Sequence, residues 1–130
     1  MNVKKVVKEL QEKYPGKKII KNNEKNPTEI LCEIDPATKH PHYSLAVAVI
    51  NKSRPHLHQK SKETYQVIKG ILDLFVDGKK YKLSEGEKFI INPGQIHWAN
   101  GNETWIECYS KPGWIIKDHI FKEYQKITNF

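Results

Sequence analysis

HLHQKSKETYQVIKG, residues 56–70, is the stretch on which the reading of this chain turns. Side chains two apart on a β-strand point to the same face, so His56 and His58 project side by side. A short polar connection, QKSK, leads into a strand-like run from Glu63 to Lys69, and a hairpin partner of this kind brings the Glu63 carboxylate beside both imidazoles. A later segment, EGEKFIINPGQIHWAN (85–100), holds a glycine, a Pro-Gly turn and then His97. His97 follows His58 by 39 residues, enough for a separate hairpin to return across a barrel and supply a fourth ligand. Three imidazoles and one carboxylate suit a first-row ion such as iron, manganese, nickel, copper or zinc. They do not suit calcium, which takes an all-oxygen cage.

These residues resemble the two motifs of the cupin superfamily. The first, H-x-H-x4-E-x6-G, is matched at His56, His58, Glu63 and Gly70, and the second at Gly86, Pro93, Gly94 and His97. Ile50 stands where a glycine usually precedes the first histidine, and the trailing asparagine, Asn100, comes one position early. Both departures touch turns rather than ligands. The resemblance covers residues 43–111 and implies an all-β fold, a cupin jelly-roll β-barrel with short N-terminal and C-terminal helices. It also implies one divalent transition metal per chain, held by His56, His58, Glu63 and His97, and a homodimer built by pairing barrels.

A chain of 130 residues, 38% hydrophobic, has the size of one domain with one core. The first 14 residues carry charges throughout, so no signal peptide or membrane anchor is expected. Cys32 and Cys108 are too few for a disulfide framework, which points to a reduced, cytoplasmic setting. The net charge of +7 raises the question of nucleic acid. All but one of the 22 basic residues are lysines, spread along the chain without the clustered arginine and lysine of a phosphate-reading surface. A solvated lysine-rich surface is the simpler reading, with a small-molecule ligand as the expected partner.

Val3, Val6, Val7, Leu10 and Tyr14 recur at helical spacing, predicting an amphipathic helix over 3–14 that ends at Pro15-Gly16. Residues 18–21 and 28–34 read as short strands, and YSLAVAVIN (43–51) as a strand buried on both faces. Asp77-Gly78 between two alternating runs is a hairpin signal. Lys88–Ile91 and residues 104–110 supply further strands, and the barrel is expected to span 18–111. From Lys117, the spacing of Ile120, Phe121, Tyr124 and Ile127 predicts a second helix over 117–127.

Strand alternation nominates residues for the walls of the site. Arg54, two before His56, is a candidate for pairing with an anionic substrate group. Tyr65 shares the parity of Glu63. Trp105, Glu107 and Tyr109 share one face of the last strand, making Glu107 a candidate general base and Tyr109 a candidate substrate contact. Trp98, next to a ligand, is expected to face the other way. His40-Pro41-His42 is a second H-x-H, but it sits in a proline-bounded loop with no carboxylate following it. Asp118-His119 reads as part of a helix surface, and Cys108 as a buried small hydrophobe.

Three classes of function follow from this reading. The motifs resemble the cupins grouped with mannose-6-phosphate isomerases, which implies isomerisation of a small polar or anionic molecule such as a sugar or sugar phosphate. A metal-dependent dioxygenase and a non-catalytic ligand-binding or sensing barrel are the alternatives. A two-domain cupin transcription factor is disfavoured, since 130 residues leave no room for a helix-turn-helix.

Overall fold

The computed structural model describes residues 1–122. Helix α1 (Val3–Lys13) is followed by ten strands: β1 (Lys18–Lys21), β2 (Glu29–Asp35), β3 (Ser44–Lys52), β4 (His56–Leu57), β5 (Lys62–Lys69), β6 (Leu72–Val76), β7 (Lys79–Leu83), β8 (Lys88–Ile91), β9 (His97–Lys111) and β10 (Ile120–Phe121). All pairings are antiparallel. No described helix is long and apolar enough to cross a membrane.

β9 is the spine of the fold. Its first residues, His97 to Asn100, pair with β6, and His97 also pairs with His56 of β4. Its second half lies between β3 and β5, with Ile106 opposite both Ala48 and Val67. The change of partners happens at Gly101, where a Cβ would lie 2.8 Å from the Ile50 carbonyl oxygen and 2.5 Å from Thr104 Oγ1, so no side chain fits. The sequence reading placed only 104–110 on this strand; the bend hides its continuity with His97.

Two apolar clusters hold the strands. Inside the barrel, Leu72, Leu74, Ile91, Val67 and Ile106 pack with Tyr65 and Ala48. On the outside, Val6 and Leu10 of α1 cover Ile30 and Cys32 of β2, Val47 and Val49 of β3, and Trp105 of β9. α1 begins where the Asn2 side chain accepts from the Lys5 amide at 3.2 Å, satisfying an end donor. It ends at Tyr14, just before the Pro15-Gly16 turn with Gly16 at φ 77°. β3 is buried on both faces, as its apolar run predicts: Val47 and Val49 lie under the helix, while Ala46 and Ala48 line a cavity in the barrel. Their small side chains leave the space open.

The Asp77-Gly78 hairpin forms between β6 and β7, with both residues at positive φ (49° and 83°), the pattern of a type I′ turn. At the carboxy end the structure corrects the expected helix. Ile116–Asp118 make a single 3-10 turn, and Ile120 and Phe121 pair with Leu57 and His56 of β4 instead. A two-residue strand carrying a metal-ligand candidate thereby gains a partner on its open side, and the Lys122 amide extends the contact to the Pro55 carbonyl at 2.9 Å. The remainder of the expected helix, 123–127, lies outside the described residues.

Leu10 has no exposed surface. Truncating it to alanine removes buried apolar volume at the helix–sheet contact, at an expected cost of about 2–4 kcal/mol in denaturant unfolding. Metal uptake should be unchanged, because the helix packs on the face opposite the histidines.

Candidate metal centre

His56 of β4, His58 just after it, Glu63 of β5 and His97 of β9 come together, all buried, with one potential ligand atom from each lying within 4.8 Å of every other. Hydrogen bonds fix how each ring is turned. Nδ1 of His56 bonds the Arg54 carbonyl at 2.8 Å, Nδ1 of His58 the Asp118 carbonyl at 3.1 Å, and Nδ1 of His97 the Gln95 carbonyl at 3.0 Å. A carbonyl only accepts, so each Nδ1 carries a proton and, in the neutral ring, the lone pair is on Nε2. This is the ring orientation that outer hydrogen bonds impose on metal-binding histidines. The Glu63 carboxylate is divided in the same way. Its Oε2 accepts from Ser110 Oγ at 3.2 Å and from Cys108 Sγ at 3.3 Å.

The remaining atoms test whether a metal fits. Glu63 Oε1 stands 3.1 Å from His58 Nε2 and 3.2 Å from His97 Nε2, yet none of these three buried atoms has an aligned hydrogen-bond partner. Buried polar atoms without partners are costly. Two donors about 2.1 Å from a shared ion and about 90° apart would be about 3.0 Å from each other. The four residues therefore fit a transition-metal ion.

The electrostatics agree. Burial, together with the nearby His97 and His119, lowers the His56 pKa to about 2, so its ring is neutral. Burial raises the Glu63 pKa, but His58 and His97 more than reverse this and hold the carboxyl well below its ordinary value. For His58, burial lowers the pKa while contact with Glu63 raises it, and the net direction is up. Without another cation, a proton is the positive charge that Glu63 attracts.

The Pro-Gly turn of the second motif docks on the first. Gly94, at φ 84°, donates its amide to the His58 carbonyl at 2.7 Å. The loop after His58 is held by Asp118, whose carboxylate accepts from the amides of Gln59, Lys60 and Ser61 at 2.9–3.2 Å. These bonds offset its burial and lower its pKa. His119 stacks on His56 at 4.1 Å between centroids and 8° between planes, and lines the cavity. Burial, then His58, lowers its pKa to about 4. Its Nδ1 accepts from the Trp114 indole at 3.1 Å, which puts the proton on Nε2. Neither Asp118 nor His119 was assigned to the site from sequence. The apolar spacing that suggested a helix masked them, and an Asp-His pair carries no spacing signal of its own.

A cavity of about 720 Å³, including its open mouth, adjoins the cluster. Tyr65 lines it, its ring steeply inclined (74°) to that of His97 at 6.0 Å between centroids, and burial followed by Glu63 raises its pKa well above the ordinary value, so it stays protonated. Three other candidates are not brought to the site. Since Cys108 and Ser110 reach Glu63, their neighbours Glu107 and Tyr109 point the other way: Glu107 interacts with Tyr14 behind the sheet, and Tyr109 is exposed and stacked on Tyr43. Arg54 is exposed with its guanidinium 4.2 Å from the Phe121 ring, because Pro55 breaks the alternation from which its position was read. Trp98 faces away from the site, as expected, stacked on Phe75 at 3.9 Å. His40 lies in a loop bound to Asp35 at 2.7 Å and to the Tyr43 carbonyl. Sequence reasoning also missed Glu29 and Glu33 on β2, which line the cavity.

Metal uptake at pH values within the histidine range should release protons, because a charged ring must lose a proton to offer Nε2 and contact with Glu63 raises the His58 pKa. Affinity is expected to rise with pH through the histidine range. Calorimetric titration in two buffers of different ionisation enthalpy checks this; identical heats would contradict it. Asp118→Ala frees the 59–61 loop and should weaken metal binding about 10- to 100-fold, measured by competition with a chelator.

Residues 46–106 match the cupin domain family model, Cupin_2. A chain described as an uncharacterized protein of Aquifex aeolicus is 30% identical over 95 residues, 72% of each chain. Among solved structures, a cupin-2 domain protein from Rhodospirillum rubrum superposes with a TM-score of 0.72 at 10% identity, covering 88% of this chain and 81% of that one. KdgF from Halomonas sp. gives a TM-score of 0.61 at 17% identity, over 69% and 85%. Streptomyces PAC13, described as a nucleoside dehydratase and solved as a point variant with uridine, gives 0.70 at 12% identity, over 87% and 92%. Motif, barrel and family match agree, and the chain is a small cupin-domain protein of the Cupin_2 type.

Proposed function

We propose that this cupin is a metal-dependent enzyme acting on a small hydroxylated carbonyl compound of the sugar class, isomerase-like as in the mannose-6-phosphate isomerase-like cupins its motifs resemble. The observation that carries the proposal is the set of unpartnered Nε2 and Oε1 atoms beside an open cavity. His56, His58, Glu63 and His97 would hold the ion and would leave it accessible to substrate from the cavity. A bound divalent ion would supply Lewis acidity toward a carbonyl oxygen.

Isomerisation moves a proton from the hydroxyl-bearing carbon beside the carbonyl to the carbonyl carbon, through an enediol, while the hydroxyl proton is lost to solvent and the old carbonyl oxygen gains one, and it needs no oxidant or reductant. In this reading Glu29, which lines the cavity, carries the carbon-bound proton. Burial, and secondarily the Glu63 carboxylate, push its pKa up to about 7, where a carboxyl both gives and takes protons at neutral pH. Tyr65 and the Nε2–H of His119 are donors for substrate oxygens. Leu31, Ala48 and Ile106 give the cavity an apolar wall, which favours a dioxygenase as the second reading.

Protein loaded with manganese or zinc should introduce solvent deuterium at C1 or C2 of a matching sugar in a panel of aldoses, ketoses and their phosphates, followed by proton NMR in D2O. Chelation or His97→Ala should abolish exchange. Oxygen uptake by iron-loaded protein with no deuterium exchange would select the dioxygenase. His58→Ala and His97→Ala should each lower metal content sharply with the fold intact; full occupancy in both would defeat the proposal.

A further inference from the structure

The cavity has a charge opposite to that of its protein. The chain carries +7 overall, yet among the described residues no lysine or arginine lines the cavity. Three carboxylates do: Glu63 at the metal cluster, and Glu29 and Glu33 on β2. Strand alternation explains the inward aim of the last two. Ile30 and Cys32 are fully buried under α1, so Glu29, Leu31 and Glu33 face the barrel interior. Neither glutamate side chain has a hydrogen-bond or ion-pair partner among the described residues. The raised pKa of Glu29, caused first by burial and then by Glu63, fits a carboxyl with no cation beside it.

Resting on the metal reading above, we infer that the cavity selects an uncharged, hydroxyl-bearing ligand and disfavours phosphate and carboxylate groups, with Glu29 and Glu33 as specificity-determining residues. With Glu29 partly protonated at neutral pH, a divalent ion leaves the three carboxylates at most one negative charge in excess. A neutral polyol satisfies both ends, presenting oxygen lone pairs to the metal and hydroxyl donors to Glu29 and Glu33. An anionic group finds a partner only at the metal and is repelled by the β2 wall, whereas a cation is repelled at the metal end. The single arginine of the chain, Arg54, lies outside the cavity against Phe121.

Cobalt(II)-loaded protein reports ligand binding through its visible absorption, with inorganic phosphate, D-fructose and D-fructose 6-phosphate as probes. Fructose should bind wild-type protein more tightly than its phosphate. The Glu29→Gln/Glu33→Gln protein should bind inorganic phosphate about tenfold more tightly than wild type, since the negative charge of the cavity's β2 wall is removed. Should the double variant not fold, Glu33→Gln alone carries the test, with an expected gain of about threefold. Unchanged phosphate affinity in the variants, fructose 6-phosphate binding wild type as tightly as fructose, or no binding of either sugar would each overturn the inference while leaving the metal reading intact. A protein that takes up no cobalt, and so shows no visible spectrum, would remove the metal reading and this inference together.

Discussion

Glu63 places a carboxylate in a site where it is 3% exposed, and the surrounding structure is organised by that burial. One oxygen is satisfied by Ser110 and Cys108; the other meets only imidazole nitrogens that are themselves without partners. A buried carboxylate needs a positive charge nearby, and a proton on His58 or a metal ion can supply it. Each histidine is held through Nδ1 by a backbone carbonyl, so the rings cannot turn to find other partners. The carbonyls come from three separate segments, at Arg54, Gln95 and Asp118. The cluster therefore fixes the positions of β4, the Pro-Gly turn and the 116–118 turn relative to one another.

β9 makes this convergence possible. It carries His97 at one end and Cys108 and Ser110, the Glu63 donors, near the other, and it turns at Gly101 between the two. The strand thus reaches the site twice. β2 and β3 form the opposing wall, where small residues at Ala46 and Ala48 leave volume and Glu29 and Glu33 set its charge.

Much of the site was legible in the sequence because it is encoded by local periods. The two-residue spacing of His56 and His58, the onset of a strand at Glu63 and the turn before His97 are each local signals, and the four residues do meet. The I′ turn at Asp77-Gly78 and helix α1 were readable for the same reason. What was not readable depends on partners distant in sequence. The face on which Glu107 and Tyr109 lie depends on which side of β9 the barrel closes, and parity alone gives two answers. Arg54 was lost to the backbone break at Pro55. Ile120 and Phe121 have helical spacing, but the open edge of β4 draws them into a strand. Asp118 and His119 come with them, and reach the site through tertiary contacts that no short pattern records.

The central claim is that the unpartnered Nε2 and Oε1 atoms surround one ion. Anomalous diffraction from crystals of the metal-loaded protein, collected at the absorption edge of the loaded metal, tests it most directly. The expected result is a single strong peak about 2.0–2.2 Å from Nε2 of His56, His58 and His97 and from Glu63 Oε1, with each Nδ1 still bonded to its carbonyl. A peak elsewhere in the molecule, ligation through Nδ1, or no ordered peak between these four residues would contradict it.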